Sequence, residues 1–211
     1  QALHSMFMHV PGLRVVAPTT PHDAKGCMIA SIRDNNPVIF VEHRMLYGNR
    51  GVVPEESYAV PFGKARVLKE GDDITVVAVS HMVVEALRAA AHLEKVGIHA
   101  EVIDPVSLSP LDTETIIQSV AKTGRLLIVD NAWTVCGASA EIVAQVVEHF
   151  QQTRAIQVRR MGFAPVPCPT TKPLENLFYP NARTIAAKAY DMVKGGDQHW
   201  LPEGPEAKEI L

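Results

Sequence analysis

Ile74-Thr75-Val76-Val77-Ala78-Val79 is a strand-length run of apolar and β-branched residues, and after it Val83, Ala86, Leu87, Ala90 and Leu93 recur at helical spacing up to Gly97. That change of period, from a continuous apolar run to an i, i+3, i+4, i+7 face, predicts a buried strand over 74–79 and a helix over 81–96. Gly97 ends the helix because a residue without Cβ tolerates the left-handed backbone that closes a helix. The same alternation continues downstream: strand 100–103, helix 112–122 stopped by Gly124, strand 126–129, helix 138–150, strand 156–159 and a last helix over 181–194. Strands separated by helices need crossover connections, which are right-handed and cover both faces of a parallel sheet. Residues 61–196 are therefore expected to form a three-layer α/β/α unit with a mostly parallel sheet.

Upstream, Ala65 to Leu68 and the turn Glu70-Gly71-Asp72-Asp73 read as the first arm of a hairpin with 74–79, giving one antiparallel strand. Residues 48–63 hold Gly48, Gly51, Pro54, Glu55, Glu56 and Pro61 with no hydrophobic period, and predict a surface connector with a boundary near 60. Before it, a helix over 2–9 is stopped by Pro11-Gly12 and followed by a strand over 13–17. Thr19, Thr20, Pro21 and Asp23 then supply the cap and first turn of a helix over 24–32, and 38–42 reads as a buried strand. Residues 1–60 thus resemble the later part of an α/β domain plus a connector, and the polar tail 197–211 is expected to be extended or loosely docked.

The whole chain has 211 residues, 47% of them apolar, with 20 Lys and Arg against 23 Asp and Glu. No apolar run approaches the roughly 18 residues of a membrane span. There is no basic block, so neither nucleic acid nor an anionic membrane is an expected partner. Cys27, Cys136 and Cys168 lie far apart without a C-x-x-C pair, which suits a reducing compartment, the cytosol or an organelle matrix. Gln1 is not an initiator methionine and no leader pattern follows it, so the chain is expected to begin inside a longer protein.

Motifs that carry their own mechanism are missing: no phosphate-cradling G-x-x-x-x-G-K, no G-x-G-x-x-G, no H-E-x-x-H and no G-x-S-x-G. His4 and His9 are poorly spaced to share a metal, and His81, His92 and His99 read as solvated or capping side chains. The oxygen-rich turn Ser31-Ile32-Arg33-Asp34-Asn35-Asn36-Pro37 has two readings, a seat for a hard cation or an ordinary Asn/Asp turn bonding to its own backbone. Asp130-Asn131, after an apolar strand, stand where open α/β sheets form a ligand rim.

Several longer words occur in order: HVPGLRVVAPTTPHDAKG over 9–26, IRDNNPVIFVEH over 32–43, Ile103-Asp104-Pro105 with Leu108-Ser109-Pro110-Leu111-Asp112, and KTGRLLIVD over 122–130. Together they resemble the β subunit of the E1 component of 2-oxo acid dehydrogenases, of the pyruvate and branched-chain type, in the transketolase superfamily. The resemblance implies a pyrimidine-binding domain, present only in its later part, followed by a transketolase C-terminal-type domain. It implies oxidative decarboxylation of a 2-oxo acid on thiamine diphosphate, with acyl transfer to a lipoyl-bearing E2 acyltransferase. An E1 α subunit would hold the diphosphate through Mg2+, and a second β subunit would pair through the C-terminal domain.

Under this resemblance the chain itself holds no catalytic residue. Gln1 matches the last letter of an H-S-Q word, so that histidine and the glutamate facing the aminopyrimidine belong upstream, and the chain alone is expected to be inactive. A potassium ion is implied at oxygens of Ser31, Ile32, Asp34 and Asn36, with a further ligand from the upstream half. The setting is the bacterial cytoplasm or the mitochondrial matrix. Departures fall at Val106-Ser107-Leu108-Ser109 and Asp130-Asn131, where many members read R-T-L-S and D-E. Two other readings stand beside this one: a different enzyme of the superfamily, transferring ketol groups or condensing a deoxysugar phosphate, and a non-catalytic assembly module.

Overall fold

A computed structural model describes residues 2–204. In chain order it contains α1 (His4–Met8), β1 (Arg14–Val16), α2 (Pro21–Arg33), β2 (Val38–Phe40), a 3-10 turn (Arg44–Leu46), β3 (Arg66–Lys69), β4 (Ile74–Ala78), α3 (Met82–Glu94), β5 (Ala100–Asp104) and β6 (Ser107–Ser109). There follow α4 (Thr113–Thr123), β7 (Arg125–Trp133), α5 (Ala138–Phe150), β8 (Gln157–Phe163), α6 (Lys172–Phe178) and α7 (Ala182–Lys194). Gln1, with its proposed place in the H-S-Q word, and residues 205–211 of the tail lie outside the described residues.

The larger sheet has five strands in the order β3-β5-β4-β7-β8, with β4 parallel to both β5 and β7, and β8 parallel to β7. All five residues of β4 are buried, as both faces of a parallel sheet require. Alternation along β7 divides the core. Leu126 and Ile128 pack with Val77, Ile116, Ile142 and Val146 under α4 and α5. Leu127 and Val129 pack with Val76, Val83, Ile185 and Ala189 under α3 and α7. Burying each such side chain stabilises the fold by about 1.5–3 kcal/mol. The helix ends follow local chemistry: Asp112 caps α4, Gly124 closes it at φ 68°, and Asn181 with Thr184 forms a capping box on α7.

The hairpin expected across 70–73 does not form. β3 pairs antiparallel with β5, Arg66 opposite Asp104 and Val67 opposite Ile103, so the one antiparallel strand sits at the sheet edge. Both edges of β4 are taken by parallel neighbours that bury it fully, and the half-exposed β3 is tolerated only outside β5. The strand expected over 38–42 is shorter and only half-buried, because β2 is the outer strand of a second sheet, ordered β2-β1-β6. β1 runs parallel to β2 and antiparallel to β6. β6 and α6 went unread in the sequence: Ser-Leu-Ser carries no strand pattern, and α6 buries only Phe178. The described part of the tail docks, with Trp200 stacked on Tyr190 of α7 at 4.6 Å between ring centroids and Pro202 buried. Among the described residues no helix is long and apolar enough to cross a membrane.

Candidate functional site

The oxygen-rich turn lies at the carboxyl end of α2, where the last helical carbonyls have no intrahelical partner and carry partial negative charge. Asp34 is the C-cap, in extended backbone, and its Oδ1 accepts from both the backbone amide and the side-chain amide of Asn36 at 2.8 Å. Its Oδ2 faces Nε of Arg14 at 3.6 Å. These Asn36 donors, with Arg14 adding to them, hold the Asp34 carboxyl below the usual carboxylate range. The Ser31 hydroxyl turns back onto the Cys27 carbonyl at 2.7 Å, and the Ile32 side chain is 77% exposed. The structure therefore brings Asp34 and Asn36 into contact and turns Ser31 away from them. The oxygen donor set suits a hard monovalent cation, while the turn also satisfies its own backbone in the manner of an ordinary Asx turn.

Three polar contacts that the sequence reading missed join residues 2–60 to the larger sheet and to the start of α3. His4 Nε2 lies 3.1 and 3.2 Å from the two oxygens of Asp130, across 126 residues. The pair is 1% and 0% exposed. Arg66 of β3 donates to Asp23 in the first turn of α2, and Asp23 is fully buried. His43 stacks on His81 with 4.9 Å between centroids and 11° between ring planes. Asp130 and Asn131 are thus not an open rim: β7 continues through them to Trp133, and both are buried. His81 is the N-cap residue of α3, partly buried and without a side-chain cap hydrogen bond, His92 is buried on α3, and His99 alone of the three is exposed.

Burial dominates the electrostatics at this seam. It pushes the Asp104 carboxyl up to about 7, with Asp23 adding to the rise and a hydrogen bond from the Val106 amide opposing it. It lowers His43 to about 4, with His81 contributing, and depresses His81 as well. The Cys27 thiol is pushed up to about 12 by burial and by Asp23, so it is a packed, unreactive thiol. A signal existed in the sequence: Asp104 and Asp130 each follow directly on an apolar strand run, where a carboxylate has to find a buried partner.

A cavity of about 970 Å³ opens beside the seam, between α1, the loop after β6 and the start of α5. Leu3, Met6, Leu111 and Trp133 give it apolar walls, His9 and Glu141 are its ionisable side chains apart from the Cys136 thiol, and among the described residues no Lys or Arg lines it. Among the described residues no group of three or more His, Cys, Asp or Glu is arranged to hold a metal ion. A diphosphate group needs cationic or metal neutralisation, so the residues present do not fit such a cofactor by themselves.

The pyrimidine-binding domain family of transketolase matches residues 1–50. The β subunit of acetoin:2,6-dichlorophenolindophenol oxidoreductase from Cupriavidus necator is 46% identical over 196 residues, covering 93% of this chain and 58% of that protein. The pyruvate dehydrogenase E1 component subunit β of Staphylococcus aureus is 41% identical over 193 residues, covering 91% of this chain and 59% of that one. The chain therefore spans somewhat over half the length of these relatives. Among solved structures, a split-gene transketolase described as an inactive β4 tetramer superposes with a TM-score of 0.74 at 26% identity, over 90% of this chain and 60% of that one. With residues 63–185 matching the transketolase C-terminal domain over the five-stranded sheet and its helices, the chain belongs to the transketolase C-terminal domain family.

Proposed function

We propose that this chain is the later portion of the E1 β subunit of a thiamine diphosphate-dependent dehydrogenase. In this reading residues 1–60 are the end of the pyrimidine-binding domain and its connector, 61–196 the C-terminal domain, and 197–211 a tail. The observation that carries it is identity above 40% to two such β subunits across more than nine-tenths of the chain. The complete enzyme oxidatively decarboxylates a 2-oxo acid, pyruvate or a branched-chain one, and passes the acyl group to a lipoyl-bearing E2. When bound, thiamine diphosphate supplies the stabilisation of negative charge at the reacting carbon. Its diphosphate and Mg2+ are held chiefly by an α subunit, in keeping with a cavity wall that lacks cations. In this reading the proton-transferring residues belong to the part of such a β subunit that this chain does not span. A second β subunit contacts the C-terminal domain, and the setting is the bacterial cytoplasm.

A second reading, with acetoin in place of the 2-oxo acid, is favoured by the higher identity to the acetoin enzyme's β subunit, 46% against 41%. Dye reduction by the full-length subunit with its α partner and thiamine diphosphate tests both. Turnover on pyruvate or a branched-chain 2-oxo acid supports the first, turnover on acetoin alone supports the second, and no turnover on any of them leaves an assembly role. Potassium at the oxygens of Ser31, Ile32, Asp34 and Asn36 is part of the proposal. Potassium chloride, compared with the sodium salt, should raise the melting temperature of the wild-type chain by a few degrees and that of Asp34→Ala by none.

A further inference from the structure

We propose that His4 and Asp130 are a positioning pair: they latch α1 onto the carboxyl end of β7 and so fix the chain on either side of α1 relative to the five-stranded sheet. The helix has five residues, and His4 is the only one of them that is buried. Leu3, Met6, Phe7 and Val10 around it are 51%, 65%, 37% and 45% exposed, while Met8 packs partly buried against Val15, Ala17, Val79 and Leu108. The fully buried position of α1 is filled by an imidazole, whose burial costs free energy unless it is hydrogen-bonded.

Its partner is built into the sheet. Leu126 and Ile128 face α4 and α5, and Asp130, at the irregularity where β7 leaves the apolar core, stands against Gly137 at the start of α5. The turn after β7 then closes over it. A Cβ at Gly137 would stand 2.3 Å from the Trp133 carbonyl, so the turn requires glycine there, and 3.7 Å from Oδ2 of Asp130, so the start of α5 lies in contact with the carboxylate. α5 has no side-chain cap, and a carboxylate near its first turn is favoured by the helix dipole.

A leucine pair at the same place would bury without a desolvation cost but would accept many rotational settings. One imidazole nitrogen within 3.2 Å of both carboxylate oxygens accepts few, and register is the best-attested benefit of a buried polar pair. The consequence for activity rests on the proposed function, in which the chain entering α1 leads from the residues that face the cofactor.

The test uses the full-length subunit assembled with its α partner, as wild type, His4→Ala, Asp130→Ala and the double variant. Amide exchange of residues 3–10 should rise about tenfold or more in each single variant and no further in the double, while β4 and β7 amides stay protected. Turnover should show kcat lowered about tenfold with KM within about twofold, and Asp130→Asn, which keeps an acceptor for the imidazole, should restore most of both. Unchanged exchange over 3–10, additive effects in the double variant, or loosened exchange with kcat intact would each overturn the proposal. Should the alanine variants fail to fold, His4→Gln and Asp130→Asn decide it: a rise confined to 3–10 in His4→Gln supports the latch, and a rise across the whole chain overturns it. A wild-type enzyme without turnover defeats the proposed function alone, because the exchange measurement still decides the latch.

Discussion

β7 runs through both of the environments that hold this molecule together. From Leu126 to Val129 every side chain is apolar and fully buried, packed against helices on both faces. At Asp130 a polar partner enters, before Trp133 returns to aromatic packing on Phe163 and Phe178, and a carboxylate likewise follows the apolar run on β5, where Ile103 is followed by Asp104. Apolar packing is non-directional and scales with area, so the core of the sheet is stable but indifferent to pH. The contacts to residues 2–60 add directional polar pairs, His4 with Asp130, Arg66 with Asp23 and His43 with His81, to the pairing of β1 with β6 and the apolar cluster of Val15, Ala17, Val79 and Leu108. The difference teaches that the centre of the sheet rests on packing, whereas the front segment is held by packing together with polar pairs of fixed geometry.

The largest expected effect lies in the core. Ile128→Ala should cost about 2–5 kcal/mol in chemical denaturation, with little change in its pH dependence. A loss under about 1 kcal/mol would break the distinction between core and seam. Next comes Asp104, whose raised folded pKa means that its contribution is fully present below about pH 4 and is lost as pH rises through about 7. The facing charges are Asp23 and Arg66, and Asp104→Asn should be more stable than wild type at pH 8 by on the order of 2–3 kcal/mol. Urea midpoints at pH 5 and pH 8 measure it, and parallel curves for the two proteins would refute it.

His43 has the opposite sign. Its folded pKa is depressed to about 4, so stability is present above the unfolded value and is lost as pH falls toward 4. His43→Phe keeps a ring against His81 without titrating, and its acid limb should be shallower by about 1 kcal/mol, a modest figure because the ring is only half-buried. The smallest effect is expected at Ile32, whose exposed side chain makes Ile32→Ser worth no more than about 0.5 kcal/mol by thermal melting.

The core was legible because its signals are periodic. The helical face from Val83 to Leu93, the strand at 74–79 and the helix over 138–150 follow from spacing alone, and the structure has α3, β4 and α5 there. The pairing of β3 was not legible, since a turn between two strands says nothing of whether a later strand will fit between them. β6 has three residues, too few for any period, and owes its strand conformation to the open edge of β1. The turn at 31–36 was readable as oxygen-rich, but whether those oxygens face one another or the backbone depends on side-chain geometry that spacing does not encode. His4 and Asp130 are 126 residues apart, and nothing local in either links them.

That short third strand has a topological consequence. Ser107–Ser109 is supplied from beyond the connector to complete the sheet of β1 and β2, and Val15 and Val16 are fully buried beside it. Severing the backbone between 48 and 63 would therefore not set the two pieces free. The forward piece would keep its neighbour's strand as its missing edge, so a nicked chain should co-migrate as one particle, and the two halves expressed from separate genes should find each other by strand complementation.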